Sequence, residues 1–140
     1  MAKIVVTGAA GFIGYHLSKS LAEDGHTVIG FDNFNDFYYD AQLKYARKEL
    51  LDQTPGVIVR EIDLKNFGMM EMLFREQQPD TVIHLAAHAG VRHSLDNPRE
   101  YIDNNIIGTQ NLIELCQMAR IEDVIYASTS CTMAGNPLPW

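Results

Sequence analysis

Short apolar runs alternate along the chain with longer segments in which apolar residues recur every three or four positions. The runs predict five buried strands, at residues 3–7, 27–31, 57–61, 81–85 and 123–127. The periodic segments between them predict helices at residues 12–24, 41–51, 67–78 and 97–119. Strands that alternate with helices are typical of a parallel sheet wound by right-handed crossovers. We therefore predict an α/β fold with a doubly wound parallel sheet of about five strands, in which the first and fourth strands lie side by side.

The last predicted helix has the clearest boundaries. Asn97 is expected to cap it, with Pro98 at the first helical position and Glu100 at the third. An apolar stripe is expected along one face of this helix: Ile102, Ile106, Thr109, Ile113 and Cys116. The segment 33–40, which is rich in aromatic and polar residues, is expected to be an ordered loop, and residues 128–140 a polar loop.

Composition and charge narrow the class of function. A chain of 140 residues corresponds to one domain. Its formal net charge of −7 disfavours nucleic acid as a partner, so an anionic ligand would have to be held by local dipoles. Cys116 and Cys131 lie far apart and the histidines are scattered, which predicts neither a disulfide framework nor a metal site. No long apolar stretch predicts a membrane span, and the first residues do not resemble a signal peptide, so we expect a cytoplasmic protein.

A glycine motif, Thr7-Gly8-Ala9-Ala10-Gly11-Phe12-Ile13-Gly14, joins the first predicted strand to the first predicted helix. Glycines in this context allow a tight turn and the close approach of a pyrophosphate, which the helix N-terminus then binds through its free N–H groups and its dipole. The motif predicts a Rossmann-type dinucleotide-binding site.

Asp32, at the end of the second strand, indicates which dinucleotide binds. A carboxylate at this position accepts hydrogen bonds from the adenosine ribose and repels a 2′-phosphate. Because no Arg or Lys occurs between Asp32 and Lys44, we predict NAD rather than NADP. Asp63, after the third strand, is interpreted either as a turn cap or as a residue at the adenine edge. His84 and His88 are interpreted as packed or hydrogen-bonded side chains rather than metal ligands.

Together with the glycine motif and Asp32, several short motifs occur in the order seen in the extended short-chain dehydrogenase/reductases: Asp63-Leu64, His84-Leu85-Ala86-Ala87, Asn104 and Ser128-Thr129-Ser130. The chain resembles this family over essentially its whole length, and most of all the NAD-dependent nucleotide-sugar epimerases and dehydratases. The segments 32–51 and 89–94 are similar to those of UDP-glucuronate 4-epimerases, and UDP-glucose 4-epimerases are close to the same pattern.

The resemblance implies a set of functional residues. Ser130 falls at the position of the catalytic Ser or Thr of the family, whose hydroxyl hydrogen-bonds the reacting sugar oxygen, and Arg92 falls in a segment that would contact substrate. No metal ligand is implied. The residues implied to bind NAD are Gly8, Gly11, Phe12, Ile13, Gly14, Asp32, Asn33, Asp63, Leu64, Leu85, Ala86, Ala87 and Asn104.

The resemblance also implies a nucleotide-sugar substrate, C4 epimerisation by transient hydride transfer to NAD, and a homodimer or larger homo-oligomer in which the helix at 97–119 takes part. The sequence departs from the family in two places. Met133-Ala134-Gly135 follows where a Tyr-Gly pair is usual, and no Tyr-x-x-x-Lys occurs after Ser130. The match at Tyr15 to Lys19 lies on the first helix, at the phosphate end of the cofactor, and is interpreted as coincidence.

These departures lead us to expect that residues 1–140 form a NAD-binding Rossmann domain without the catalytic helix and the substrate-binding part, and that the chain alone is inactive as an enzyme. Two other interpretations stay open at this point. The chain could be a catalytically inactive NAD-binding module or short natural form, or its activity could be that of a nucleotide-sugar 4,6-dehydratase or decarboxylase.

Overall fold

Five parallel strands form one sheet in a computed structural model of the chain, which describes residues 1–137. The last three residues of the predicted loop 128–140 lie outside the described residues. The order of the strands is β3-β2-β1-β4-β5, which places β1 beside β4 and confirms the predicted doubly wound sheet. The strands are β1 (Lys3–Thr7), β2 (Thr27–Asp32), β3 (Val57–Glu61), β4 (Thr81–His84) and β5 (Asp123–Tyr126).

Helices cover both faces of this sheet. They are α1 (Phe12–Glu23), α2 (Ala41–Asp52), α3 (Phe67–Gln77), α4 (Val91–Asp96), α5 (Pro98–Tyr101) and α6 (Gly108–Ala119), with a π-helix at Ile102–Ile107 and a 3₁₀-helix at Ser130–Met133. In residues 1–137, no helix combines the length and the apolar character that crossing a membrane would require.

Two apolar clusters hold the layers together because alternate residues of each strand point to opposite faces of the sheet. On one face, Val5 and Val82 pack with Leu73 of α3 and Leu112 of α6. On the other face, Val6, Val28 and Ile83 join Leu51 of α2, and side chains of α1 pack against them. The core therefore fixes the carboxyl ends of β1, β2 and β4 at one edge of the sheet.

The region from 91 to 119 differs from its prediction in four ways. Helix α4 was not predicted, and the expected continuous helix is interrupted by the π-helix. Asn97 makes no capping hydrogen bond with its side chain. The Glu100 carboxylate accepts a hydrogen bond from the amide of Asn104 instead of capping the helix start.

The predicted apolar stripe is therefore divided between the surface and the core. A π-helix takes more residues per turn than an α-helix and so shifts the side chains that follow it around the axis. Ile102, Ile106 and Ile113 are 48%, 59% and 49% exposed, whereas Cys116 is buried. The residues of α6 that face the core are Gly108, Leu112, Leu115 and Cys116.

A matched pair of glycine substitutions tests how tightly α1 packs. A Cβ at Gly14 would lie 2.1 Å from the carbonyl oxygen of Gly8 and 2.8 Å from Cα of Ala9, both backbone atoms. A Cβ at Gly68, near the start of α3, would come no closer than 3.9 Å to its nearest neighbour, Asn66. We expect Gly14→Ala to lower the free energy of unfolding by about 2 kcal/mol or more. We expect Gly68→Ala to leave it unchanged or to raise it by up to about 1 kcal/mol.

Urea denaturation of both variants and of the unsubstituted chain measures these changes. A Gly14→Ala variant as stable as Gly68→Ala would contradict the close approach of α1 to the glycine loop.

Candidate functional site

An open cleft of about 730 Å³ lies where the carboxyl ends of the strands meet the glycine loop. In doubly wound sheets ligands bind at this switch point, between strands whose connections leave in opposite directions. Nine of the predicted cofactor residues line the cleft: Gly8, Gly11, Asp32, Asn33, Leu64, Leu85, Ala86, Ala87 and Asn104.

Four other predicted cofactor residues border the cleft without forming its wall. Phe12 and Ile13, at the start of α1, each have 66% of their surface exposed. Gly14 lies against the glycine loop, and Asp63 is joined to Asn33 by a hydrogen bond of 3.0 Å.

The two predicted substrate-side residues lie on other surface elements. Ser130 is the first residue of the 3₁₀-helix that follows β5, and Arg92 is on α4; both are exposed. The described structure does not bring either of them into the wall of the cleft.

The glycine loop forms part of the wall of the cleft. Gly8 has a φ of +71°, a backbone conformation that L side chains rarely adopt, and a Cβ there would lie 3.1 Å from the backbone of Ala86. Helix α1 begins directly after the loop, and within the described residues no side chain caps it. The first N–H groups of an α-helix have no partner within the helix, so those of α1 are available to an anion.

Asp32 also lines the cleft, and its carboxylate is paired with Lys44. Oδ1 accepts hydrogen bonds from the backbone N–H of Phe34, at 2.9 Å, and from Nζ of Lys44, at 3.3 Å. Both side chains are largely buried. The predicted preference for NAD rested on the absence of a cation in the residues directly after Asp32. This premise needs a correction, because Lys44, twelve positions further along the chain, reaches the carboxylate.

A second cation lies close to Lys44. Arg47 donates hydrogen bonds of 3.2 Å to the carbonyl of Ala10 and to the hydroxyl of Tyr39. The Tyr39 ring lies 5.8 Å from both cationic groups. Residues 44 and 47 are one turn apart on α2, so this helix places one positive charge at Asp32 and a second at the glycine loop.

Asparagines connect the loops that follow β2, β3 and β4. Asn33 donates to Asp63 and accepts a hydrogen bond of 2.8 Å from Asn35. Asn35 in turn lies 3.3 Å from Nε2 of His88 and accepts from Lys44. This chain of polar contacts fixes the spacing of the three loops around the cleft.

Two residues of the aromatic segment 37–39, Phe37 and Tyr38, also contact the loop after β4. Phe37 stacks on the imidazole of His88 with ring centroids 4.5 Å apart. Tyr38 and Tyr101 both donate hydrogen bonds to the carbonyl of Ala89. Partial burial and the neighbouring Tyr101 hydroxyl raise the pKa of Tyr38, which keeps its phenol protonated as a donor.

The π-helix places two consecutive asparagines beside the cleft. Asn104 is buried and donates to the carbonyl of Glu100 at 2.7 Å, while Asn105 pairs with the backbone of His88. The Asn105 side chain accepts from the His88 N–H at 2.7 Å and donates to its carbonyl at 2.8 Å. These two bonds hold the loop after β4 against the helix.

His84, the last residue of β4, bonds through both ring nitrogens, and His88, in the loop that follows, bonds through Nε2 while its buried Nδ1 has no partner among residues 1–137. Burial lowers the pKa of His84, and burial is also the main cause that lowers the pKa of His88, so both are neutral at pH 7. Among residues 1–137, no three His, Cys, Asp or Glu side chains are grouped so that they could hold a metal ion.

The sequence patterns did not single out several residues of this site. Asn35, Tyr38, Tyr39 and Lys44 line the cleft, and Asn105 supports it. The only available signal was the unusual aromatic and polar composition of residues 33–40. Lys44 and Asn105 lie in helical segments where nothing in the periodicity separates them from ordinary surface residues.

Known proteins match the chain across this region. It is 43% identical over 140 residues to a UDP-glucuronate 4-epimerase of Thermodesulfobacterium geofontis, and it covers 43% of that protein's length. A UDP-Glc/GlcNAc 4-epimerase structure from Campylobacter jejuni matches 99% of the chain with a TM-score of 0.83 and 31% identity, over 40% of its own length. The structure of the Bifidobacterium longum UDP-glucose 4-epimerase, a complex with NAD⁺ and UDP, matches 99% of the chain with a TM-score of 0.83 and 28% identity, again over 40% of its length.

The chain thus spans about two fifths of the length of these relatives. The model of the NAD dependent epimerase/dehydratase family matches residues 4–139, almost the entire chain. The sheet order, the glycine loop and the acidic residue after β2 agree with that match. The chain belongs to the NAD dependent epimerase/dehydratase family.

Proposed function

We propose that the cleft binds NAD and that the chain is the cofactor-binding part of a UDP-sugar 4-epimerase. One observation carries the NAD proposal: the glycine loop before the uncapped N-terminus of α1 and the carboxylate residue Asp32 line the same cleft. The first suits a pyrophosphate and the second suits the hydroxyls of the adenosine ribose.

The hydrogen bonds of Asp32 support this role. Its Oδ1 is occupied by Phe34 and Lys44, whereas Oδ2 accepts no hydrogen bond from residues 1–137. We infer that Oδ2 accepts from a ribose hydroxyl, while Oδ1 holds the carboxylate in place. The backbone amides of Phe12, Ile13 and Gly14, in the first turn of α1, are then the donors to the pyrophosphate.

The remaining predicted cofactor residues receive roles from their positions. Leu64, Leu85, Ala86 and Ala87 supply the apolar wall along the dinucleotide. Asn33, Asp63 and Asn104 supply polar groups at its rim. Bound NAD supplies a hydride acceptor that can return the hydride to the substrate.

The relatives support a UDP-sugar as substrate and epimerisation at C4 as the reaction, because the proteins that match along the chain are 4-epimerases of UDP-sugars. In this proposal the hydroxyl of Ser130 donates a hydrogen bond to the reacting sugar oxygen, and Arg92 contacts the substrate. General acid-base work of this kind needs a donor within hydrogen-bond reach of that oxygen. We also place the protein in the cytoplasm, where both cysteines, which are free in the structure, would stay reduced.

Calorimetry with NAD and NADP tests the cofactor proposal. We expect NAD to bind more tightly than NADP. We expect Asp32→Ala to reduce the difference in affinity between the two cofactors, because it removes the carboxylate that repels a 2′-phosphate. We expect Lys44→Met to widen the difference by about tenfold, since the cation nearest that phosphate is lost. Lys48→Met is the matched control, because Lys48 is on the same helix but pairs with Asp52.

No measurable binding of NAD to the folded chain would refute the proposed function. Equal affinities for the two cofactors in the unsubstituted chain would refute the role of Asp32. A Lys44→Met variant that behaves like Lys48→Met would show that Lys44 has no part in discrimination.

We further infer that the chain associates with itself through the surface of the π-helix and α6. Ile102, Ile106 and Ile113 expose about half of their surface or more along this helical segment. Exposed apolar patches of several hundred Å² usually mark interfaces.

Light scattering tests this association. We expect a homodimer or larger species, and we expect Ile113→Lys to dissociate it because a charge would be buried in the interface. Leu50→Lys is the control, since Leu50 is 52% exposed on α2, which packs on the opposite face of the sheet. A monomer at high protein concentration, or equal effects of the two variants, would contradict the inference.

A further inference from the structure

Three side chains form a buried polar relay beneath the cleft. Thr7 and His84 are the last residues of β1 and β4 and lie opposite each other in the parallel register. Oγ1 of Thr7 is 2.7 Å from Nδ1 of His84, and Nε2 of His84 is 2.9 Å from Oγ1 of Thr109 on α6. Thr7 is fully buried and His84 is 7% exposed.

The hydrogen bonds of Thr7 determine where the imidazole proton lies. Oγ1 of Thr7 accepts from the backbone N–H of Leu85, at 3.1 Å, and of Ala86, at 3.0 Å. A hydroxyl oxygen has two acceptor sites and one proton, so both acceptor sites are occupied and the proton must be donated. Because Nδ1 of His84 is the group that remains to accept it, Nδ1 carries no hydrogen.

The state of Nδ1 determines whether Nε2 of His84 carries a proton. A neutral imidazole with an unprotonated Nδ1 carries its proton on Nε2, which donates to Thr109. Burial lowers the pKa of His84 and so favours this neutral form. With both nitrogens bonded to buried or half-buried hydroxyls, His84 has no free position from which to exchange a proton with a ligand in the cleft.

The amides held by Thr7 belong to the wall of the cleft. Leu85 and Ala86 line it, and the backbone of Ala86 lies against Gly8 of the glycine loop. The Thr7 hydroxyl therefore sets the distance between the loop after β4 and the loop after β1. His84 orients that hydroxyl, and Thr109 orients His84 from α6.

We propose that His84 is a positioning residue, held as the neutral Nε2–H tautomer, that ties the two loops facing the cofactor to helix α6. This inference deepens the proposed NAD site and rests on it only for the binding measurements. It assigns His84 no contact with the cofactor and no proton transfer.

The tautomer is measured first, on the unsubstituted chain. Long-range ¹H–¹⁵N correlation spectra distinguish the two neutral tautomers, and the loss of a signal set in the His84→Asn variant assigns His84. We expect the Nε2–H form. A protonated Nδ1 would overturn the proposal, and this result does not depend on NAD binding.

Two substitutions of His84 each keep one of its two hydrogen bonds and remove the other. Asn places an amide oxygen at the position of Nδ1 and keeps the acceptor for Thr7, whereas Gln reaches only the position of Nε2 and keeps the contact with Thr109. We expect His84→Asn to retain NAD affinity within about threefold and His84→Gln to lose about tenfold, as for one lost buried hydrogen bond. Equal affinities for these two variants would overturn the proposal.

Substitutions of Thr7 test whether its hydroxyl group is needed for NAD affinity. We expect Thr7→Val to lose about tenfold in NAD affinity and Thr7→Ser, which keeps the hydroxyl, to recover it. Thr81→Val, at the opposite end of β4, is the isosteric control and should bind like the unsubstituted chain. A Thr7→Val variant with the affinity of Thr81→Val would overturn the proposal.

Amide hydrogen exchange tests the positioning role without any cofactor, and therefore also if NAD does not bind. Hydrogen exchange should speed up at the amides of Leu85 and Ala86 in Thr7→Val and in His84→Gln, but not in Thr7→Ser. If NAD fails to bind while this pattern is observed, the proposed function is wrong and the positioning role stands. Unchanged exchange in Thr7→Val would overturn the positioning role itself.

Discussion

Helix α1 lies so close to the loop after β1 that no side chain fits between them. A Cβ at Gly14 would meet the carbonyl of Gly8 at 2.1 Å, so glycine is required at this contact. The close approach also fixes where α1 begins. Its first N–H groups consequently point to the carboxyl edge of the sheet, beside the cleft, rather than into a neighbouring helix. The rest of the site is arranged around this fixed helix end.

Four of the five polar or charged residues buried in the range 1–137 lie at that same edge, and the fifth, Ser18 on α1, has no hydrogen-bond partner for its hydroxyl there. Thr7, Asp32 and His84 end their strands, and Asn104 lies on the π-helix beside them. A buried polar group without a partner costs roughly 1–3 kcal/mol, and each of these four has hydrogen bonds in the structure. Some of these bonds join separate elements, as between Thr7 and His84, and others are local, as from Phe34 to Asp32 and from Asn104 to Glu100. The edge of the sheet is thus held by polar contacts, while the layers below it are held by apolar packing.

The sequence was sufficient for the parts of the fold that depend on local pattern. Strands β1 and β3 have the bounds predicted from their apolar runs, and the order of the sheet follows from the alternation of strands and helices. The interruption at Ile102–Ile107 was not predicted, because positions 102, 106, 109, 113 and 116 keep the three- or four-residue spacing of an uninterrupted α-helix. Asn97 looked like a cap by residue type, yet its side chain makes no capping bond.

The candidate site likewise contains residues that the sequence predicts and residues that it does not. Gly8, Gly11 and Asp32 were predicted from their places in a strand-loop-helix pattern, and they line the cleft. The pairing of Lys44 with Asp32 depends on how α2 is laid across the sheet, and the absence of a cation in the residues directly after Asp32 gave no indication of it. Asn105 and His84 likewise act through contacts with elements distant in the sequence.

Lys44 and Arg47 also change how the charge of the chain should be understood. A net charge of −7 describes the whole surface, but the field that an anion meets is set by the groups within about one Debye length of it. At the cleft these groups include the N-terminus of α1 and two cations of α2, of which Arg47 is bonded to Ala10 of the glycine loop and Lys44 to Asp32. Asp32 is the opposing charge, and Lys44 already neutralises part of it. In the proposed site, discrimination against a 2′-phosphate therefore rests on a balance between one carboxylate and its lysine partner, whereas attraction of the pyrophosphate rests on the helix end and on Arg47, which is bonded to the glycine loop.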